Sequence, residues 1–172
     1  MNKVLLSLVS FLLIFSGCTD KPYVIVQIAD AQLGFTAAEK SQRTGSEYVN
    51  DLTYESDCLR KAVDMVNQIM PDAVVFTGDQ VNYCDDEQQW AEFSAIISTV
   101  DKSVKLFHLP GNHDVRISGS KVDSSPFTER FGDDCFLHEE RGVKLVGINT
   151  CVIKVGDSLE TVQFQWLENV LV

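Results

Sequence analysis

The chain has 172 residues, of which 45% are hydrophobic and 23% are charged, and its 25 acidic and 14 basic residues give a formal net charge of −11. This length suits one domain with a sizeable core, and the composition is that of a globular protein rather than a disordered chain. Because the net charge repels polyanions, a nucleic-acid partner is not expected.

Residues 1–17 have the pattern of a secretory signal peptide. A lysine precedes an apolar stretch over residues 4–15, which is too short to span a membrane comfortably, and small residues follow it. The sequence "FSGC" resembles the lipobox of bacterial lipoproteins, which implies cleavage before Cys18, lipidation of its thiol and a short tether over residues 18–22. We expect a protein of the bacterial cell envelope that contacts the membrane through its lipid anchor only. A plain cleaved signal peptide with a chance cysteine is the alternative.

Four further cysteines follow Cys18 along the chain, namely Cys58, Cys84, Cys135 and Cys151. In an oxidising compartment they allow three disulfide pairings, between which the sequence does not choose. Their wide spacing contains no CxxC pair, so a thiolate zinc site is not expected. We predict small buried side chains or one structural disulfide.

After the tether, strand-like and helix-like segments alternate. Short apolar stretches rich in β-branched residues predict strands buried on both faces, and apolar residues at helical spacing predict amphipathic helices. This alternation indicates βαβ crossovers and a mainly parallel sheet, so the predicted fold class is α/β. The predicted elements are a strand from Tyr23 to Ala29, a helix from Asp51 to Met70 that Pro71 ends, a strand from Asp72 to Thr77, a helix from about Asp85 to Val100, a strand from Ser103 to Pro110, two strands about the Arg141-Gly142 turn, and a final helix starting near Glu160.

Each of the three strands predicted to be parallel ends at a polar cluster that contains a glycine. The carboxyl ends of parallel strands lie at one edge of a sheet, so the three clusters are expected to converge there. Carboxylate and amide oxygens suit Mg²⁺, Mn²⁺ or Fe, and a cation between two carboxylates offsets their repulsion. Polar turn residues would explain one such cluster, but not three in order. The clusters are "IADAQLG" with Asp30 and Gln32, "FTGDQVN" with Asp79 and Asn82, and "LPGNHD" with Asn112, His113 and Asp114.

The order of these motifs resembles the calcineurin-like metallophosphoesterase superfamily, whose pattern runs DxH, GDxx and GNHD or GNHE, followed by a lone His and a final GHxH. "DAQLG" stands where DxH is expected, with Gln32 at the His position, as in one branch of the superfamily. The resemblance covers residues 23–172. It implies a four-layer α/β/β/α sandwich, of which this chain would hold the N-terminal part because the last two motifs would lie beyond Val172.

The resemblance also implies a dinuclear centre of two divalent metal ions, which could be Mn, Mg, Fe or Zn. Asp30 and Gln32 would be ligands of the first metal. Asp79 would bridge both metals, and Asn112 would bind the second. These four residues are the predicted metal ligands.

His113 and Asp114 are the implied catalytic residues, because His113 would protonate the leaving alkoxide while Asp114 orients its ring. The implied activity is metal-dependent hydrolysis of phosphomonoesters or phosphodiesters outside the cytoplasm, with a phosphoester substrate as the partner. One alternative is a truncated, non-catalytic metal-binding or interaction domain, since Gln32 weakens one ligand and the final motifs are absent from these 172 residues. Another is an extracellular nuclease, which the acidic surface disfavours. The sequence is silent on the oligomeric state.

Overall fold

The computed structural model describes residues 21–156 and 158–172. The predicted signal peptide over residues 1–17 and the predicted lipidation site, Cys18, lie outside the described residues, as does most of the tether over residues 18–22. Within the described part of the chain, no helix has the length and apolar character needed to cross a bilayer.

Three parallel strands form the central sheet, in the order β1-β2-β3, and two antiparallel hairpins follow them along the chain. The parallel sheet and its helical crossovers confirm the predicted α/β class. The elements are β1 (Ile25–Ile28), α1 (Phe35–Thr44), α2 (Thr53–Ile69), β2 (Ala73–Thr77), α3 (Glu87–Ile97), β3 (Lys105–Leu109), β4 (Arg116–Ser118), β5 (Lys121–Asp123), α4 (Ser125–Phe131), β6 (Phe136–Glu140), β7 (Val143–Gly147), α5 (Thr150–Val155) and α6 (Leu159–Leu171).

The helices α2 and α3 pack on one face of this sheet. Leu59, Val63 and Val66 recur at helical spacing on α2 and are almost fully buried in the same cluster as Val74 and Phe76 of β2. Each of these side chains contributes about 1.5–3 kcal/mol when it leaves water. The apolar face that the sequence predicts for this helix therefore holds the core together.

Specific residues set the ends of both crossover helices. Asp86 caps α3, because its carboxylate accepts hydrogen bonds from the main-chain N–H groups of Gln88 and Gln89. At the C-terminal end of α2, Met70 adopts a left-handed conformation with a φ of 51°, and Pro71 follows it. Both helices lie inside their predicted ranges.

The hairpin of β6 and β7 covers the other face of the sheet. Side chains alternate along a strand, so Phe107 of β3 points away from the helices, and its ring stacks on Phe136 of β6 with 4.8 Å between centroids. The hairpin turns at Arg141 and Gly142, which have φ values of 49° and 78°. Helices, parallel sheet and hairpin thus form successive layers, in agreement with the calcineurin-like fold that the motifs imply.

The structure corrects three details of the predicted elements. β1 is shorter than the predicted strand and is half-exposed, because it lies at the edge of the described sheet. Ile69 continues the helical spacing of the buried residues of α2, which predicts burial, but it is the last residue of the helix and is 53% exposed. The helix α1 was not predicted, because its buried residue Ala38 stands among polar neighbours without an apolar period.

The cysteines form no disulfide among the described residues. Cys58 is exposed, Cys84 and Cys135 are half-buried, and Cys151 is buried, and all four are free thiols. The prediction of small buried side chains therefore fits Cys151 best.

Candidate metal centre

The loops after β1 and β2 run side by side and continue the parallel pairing beyond the strands. The Asp30 N–H donates to the Gly78 carbonyl oxygen at 3.2 Å, and the Gln32 N–H donates to that of Asp79 at 2.8 Å. Asp30, Gln32 and Asp79 all have positive φ values, of 54°, 40° and 51°. Side chains with a Cβ rarely adopt this conformation, and such strain concentrates at functional sites.

Glycines bring the loop after β3 against the loop after β2. A Cβ on Gly78, whose φ is 108°, would lie 2.8 Å from the Gly111 Cα. A Cβ on Gly111 would overlap both the main-chain nitrogen and a carboxylate oxygen of Asp79. Only glycine therefore allows the GNHD loop to approach the Asp79 carboxylate this closely.

The three loops meet around one cavity of about 420 Å³, which is called the metal cavity below. Asp30, Asp79 and Asn112 all line it, so the convergence predicted for these three residues is present in the structure. Thr150 and Lys154 of α5 line the same cavity and were not predicted, because nothing in the sequence distinguishes them from ordinary helix residues. Lys154 is exposed and brings a positive charge to the cavity wall.

His113 lies beside this cavity and is held at two points. Its main-chain N–H donates to Asp79 Oδ1 at 2.9 Å, and its ring Nδ1 lies 2.8 Å from the Asn82 carbonyl oxygen. Because a carbonyl oxygen only accepts, Nδ1 carries a proton and Nε2 is the nitrogen left to exchange one. The prediction that Asp114 orients this ring is wrong, since the Asn82 carbonyl does so.

Asp114 ties the loops together instead. Its side chain is buried, with Oδ1 accepting from the N–H groups of Gln80 and Val81 at 2.9 and 3.2 Å, and Oδ2 accepting from the Gly111 N–H at 2.8 Å. Burial raises the pKa of the Asp114 carboxyl to about 7, while these N–H donors act to lower it. The residue thus fixes the position of Asp79 relative to the GNHD loop.

Gln32, the fourth predicted metal ligand, does not line the cavity that Asp30, Asp79 and Asn112 share. Its side chain is half-buried, lines a neighbouring cavity together with Asp30, and donates from Nε2 to Asn82 Oδ1 at 3.4 Å. Asn82 therefore contacts both Gln32, through its side chain, and His113, through its carbonyl.

Gln89 supports Asn82 and was not predicted from the sequence. The fully buried Oε1 of Gln89 accepts from the main-chain N–H groups of Asn82 and Tyr83, each at 2.9 Å. The sequence does indicate that Gln89 is buried. It precedes Phe93 by four residues and Ile96 by seven, so it lies on the apolar face of α3. A polar residue at such a position needs a buried hydrogen-bond partner.

The model of the family described as calcineurin-like phosphoesterase matches residues 23–167. The chain belongs to the calcineurin-like phosphoesterase family. The resemblance inferred from the three polar motifs is thereby confirmed. Family membership explains why the three motifs stand at the ends of consecutive parallel strands and share one cavity.

The curated relatives that the chain matches here are distant and longer than the chain. The serine/threonine-protein phosphatase CPPED1 of Mus musculus is 24% identical over 162 residues, a match that covers 87% of this chain and 51% of the relative. CPPED1 of Pongo abelii and CPPED1 of Homo sapiens are also 24% identical, with 87% of this chain and 50% of each relative covered. The chain spans about half the length of the curated relatives it matches.

Calcineurin-like phosphoesterases generally use divalent metal ions, and the donor set of this cavity fits part of such a site. Asp30 and Asp79 supply carboxylates and Asn112 supplies an amide oxygen, which are the hard donors that divalent ions of this kind prefer. Among residues 21–156 and 158–172, no group of three or more His, Cys, Asp or Glu side chains is placed to hold a metal ion. The candidate donors of this cavity are thus two carboxylates and one amide oxygen.

A buried thiol also lies in the cavity wall. Burial raises the pKa of Cys151 to about 11, and the nearby charges of Asp79 and Asp114 add to the rise. Without a cation beside it, this thiol is therefore protonated at neutral pH.

Proposed function

We propose that this protein is a metal-dependent phosphoesterase that hydrolyses phosphomonoesters or phosphodiesters at a dinuclear centre of divalent ions. The observation that supports the proposal most directly is the shared cavity of Asp30, Asp79 and Asn112 in a calcineurin-like phosphoesterase domain. The relatives named serine/threonine-protein phosphatase agree with a phosphoester substrate.

Different side chains of the cavity would bind the two metal ions. Asp30 would bind one ion, Asp79 would bridge the pair, and Asn112 would bind the second. Two divalent ions held there would neutralise phosphate oxygens and acidify a water molecule. Gln32 would contribute to the first ion or, through its contact with Asn82, to the loop around it.

His113 would supply the proton for the leaving group. With Nδ1–H engaged by the Asn82 carbonyl, Nε2 is the nitrogen that can give a proton to the departing alkoxide oxygen. The Asp79 carboxylate accepts a hydrogen bond from the main-chain N–H of His113. This bond would hold the proton donor, His113, at a fixed position relative to Asp79. The Asp114 carboxylate joins the same loops by accepting hydrogen bonds from three main-chain N–H groups.

The direct test is hydrolysis of p-nitrophenyl phosphate and bis-p-nitrophenyl phosphate by the purified protein before and after metal removal with EDTA. We expect EDTA to abolish turnover and Mn²⁺, Mg²⁺, Fe²⁺ or Zn²⁺ to restore it, with elemental analysis showing bound metal in the active form. Turnover that EDTA leaves unchanged would contradict the proposal.

A non-catalytic metal-binding domain is the second candidate function. The observation that favours it is that the described residues supply two carboxylates and an amide but no cluster of three His, Cys, Asp or Glu ligands. Metal bound without any phosphoester turnover in the same experiment would select this candidate.

We also propose that the protein is anchored in the bacterial cell envelope by a lipid on Cys18, as the apolar segment and "FSGC" indicate. In a bacterial host fed labelled palmitate, the wild type should carry label and fractionate with membranes. Cys18→Ser should lose the label, while Cys58→Ser, which removes an exposed thiol of the folded domain, should keep it. A labelled Cys18→Ser variant or an unlabelled wild type would exclude the anchor.

A further inference from the structure

A second cavity, of about 350 Å³, adjoins the metal cavity. It lies between the loop after β1, the start of α1 and the N-terminal half of α2, and Asp30 lines both cavities. The two cavities therefore lie on either side of one shared residue, and a substrate bound at Asp30 would be next to both. Neither the family match nor the relatives' names assign a role to it.

Glu55, which lines the second cavity, has one carboxylate oxygen without a hydrogen-bond partner among the described residues. The residue lines the cavity but is only 7% exposed, and its Oε1 accepts from the Thr36 N–H at 2.7 Å. Its Oε2 is buried and has no hydrogen-bond partner among the described residues. A buried carboxylate oxygen without a partner is destabilising, so a bound hydrogen-bond donor, and above all a cation, is favoured there.

The remaining walls suit an organic group rather than a bare ion. Leu59 is buried at the inner side, while the rings of Phe35 and Tyr54 stand at the surface, 43% and 67% exposed. Exposed aromatic rings attract organic cations through their electron-rich faces. Aliphatic and aromatic surface around one carboxylate is the arrangement that recognises an alkylammonium group.

We propose that this cavity binds the alcohol part of the substrate and selects a protonated amine, so that the preferred substrates are aminoalkyl phosphates. The phosphate would lie in the metal cavity and the ammonium group would approach Glu55, with Asp30 between them. This inference rests on the proposed phosphoesterase function and specifies its substrate class.

The test compares pairs of esters that differ only in charge. For each length, kcat/KM is measured with Mn²⁺ for 2-aminoethyl phosphate against propyl phosphate and for 5-aminopentyl phosphate against hexyl phosphate. We expect the wild type to prefer at least one amine of the two pairs by about 10-fold or more, as a charge-assisted hydrogen bond provides. Equal kcat/KM values within both pairs would overturn the inference.

Variants assign the preference to the cavity. Glu55→Gln keeps the acceptor for the Thr36 N–H but removes the charge, and it should bring the amine-to-alkyl ratio close to one. Tyr54→Leu, at an exposed position that does not endanger folding, should lower the ratio about 3-fold. Glu129→Gln removes a charge from an exposed position on α4 and should leave the ratio unchanged. A ratio that both cavity variants leave intact would place amine selection elsewhere.

A binding measurement separates this inference from the proposed function. Pentylammonium chloride is titrated into the wild type and Glu55→Gln, and NMR chemical shifts around Leu59 and Tyr54 are followed. Saturable shifts in the wild type that are lost in Glu55→Gln support the cavity even if no ester is hydrolysed. Hydrolysis of both ester classes without such shifts leaves the phosphoesterase proposal standing and excludes the amine site.

Discussion

Asp79→Asn should weaken metal binding by about 100-fold or more and reduce phosphoester hydrolysis accordingly. Asp79 lines the metal cavity with Asp30 and Asn112, and it is the residue that contacts the loop carrying His113. Asparagine retains an oxygen for the His113 N–H but loses the negative charge that would bind the proposed divalent ions. Isothermal titration with Mn²⁺ and the p-nitrophenyl ester assays measure the two effects.

The same substitution should leave folding nearly unchanged, which distinguishes loss of the metal from loss of structure. The free energy of unfolding in urea, measured without metal, is expected to stay within about 1 kcal/mol of the wild type because the hydrogen bond to His113 is kept. Asp133→Asn, which removes the same charge from an exposed loop, is the matched control and should bind Mn²⁺ normally. Normal metal binding by Asp79→Asn would remove Asp79 from the centre.

Much of the fold could be predicted from local sequence patterns, because most residues whose spacing predicts burial are buried in the structure. The run over Ala73–Thr77 is apolar and flanked by turns, and its strand has parallel neighbours on both sides. The Arg141-Gly142 turn was also predictable, since glycine tolerates the positive φ that a two-residue hairpin needs. What sequence spacing did not reveal are the elements with little apolar surface, such as α1.

The convergence of Asp30, Asp79 and Asn112 was predictable for a topological reason. Parallel strands place their carboxyl ends at one edge, so residues far apart in the chain meet without any information about side chains. The orientation of His113 was not predictable in this way. It depends on the carbonyl of Asn82, a main-chain group that every residue possesses and that therefore leaves no mark on the sequence.

Buried polar residues within helices could also have been predicted from the sequence. A search for apolar residues at helical spacing misses them because it leaves out polar residues on the same face. Glu55 precedes Leu59 by four residues and Val63 by eight, as Gln89 precedes Phe93 and Ile96 on its own helix. Each polar side chain thus stands on an apolar face, where it must find a partner or serve a ligand. Gln89 has its partners within the protein, whereas one oxygen of Glu55 has none among the described residues.

Gly111→Ala should both destabilise the protein and disable the metal centre. The added Cβ would overlap the Asp79 carboxylate and main-chain nitrogen, so the loop after β3 has to move away from the loop after β2. That movement also strains the bond from the Gly111 N–H to Asp114. We expect the free energy of unfolding to fall by about 1–3 kcal/mol and Mn²⁺ affinity to fall with the displacement of Asp79.

Gly119→Ala separates this steric effect from the general cost of replacing a glycine. Gly119 has a φ of 60°, and apart from its own chain neighbours no atom of the described residues lies within 4 Å of the position that an added methyl group would take. Alanine there suffers only backbone strain of about 1 kcal/mol. The control should lose stability in urea yet bind Mn²⁺ like the wild type. If Gly111→Ala also retained wild-type Mn²⁺ affinity, the close approach of the two loops would not be what positions Asp79.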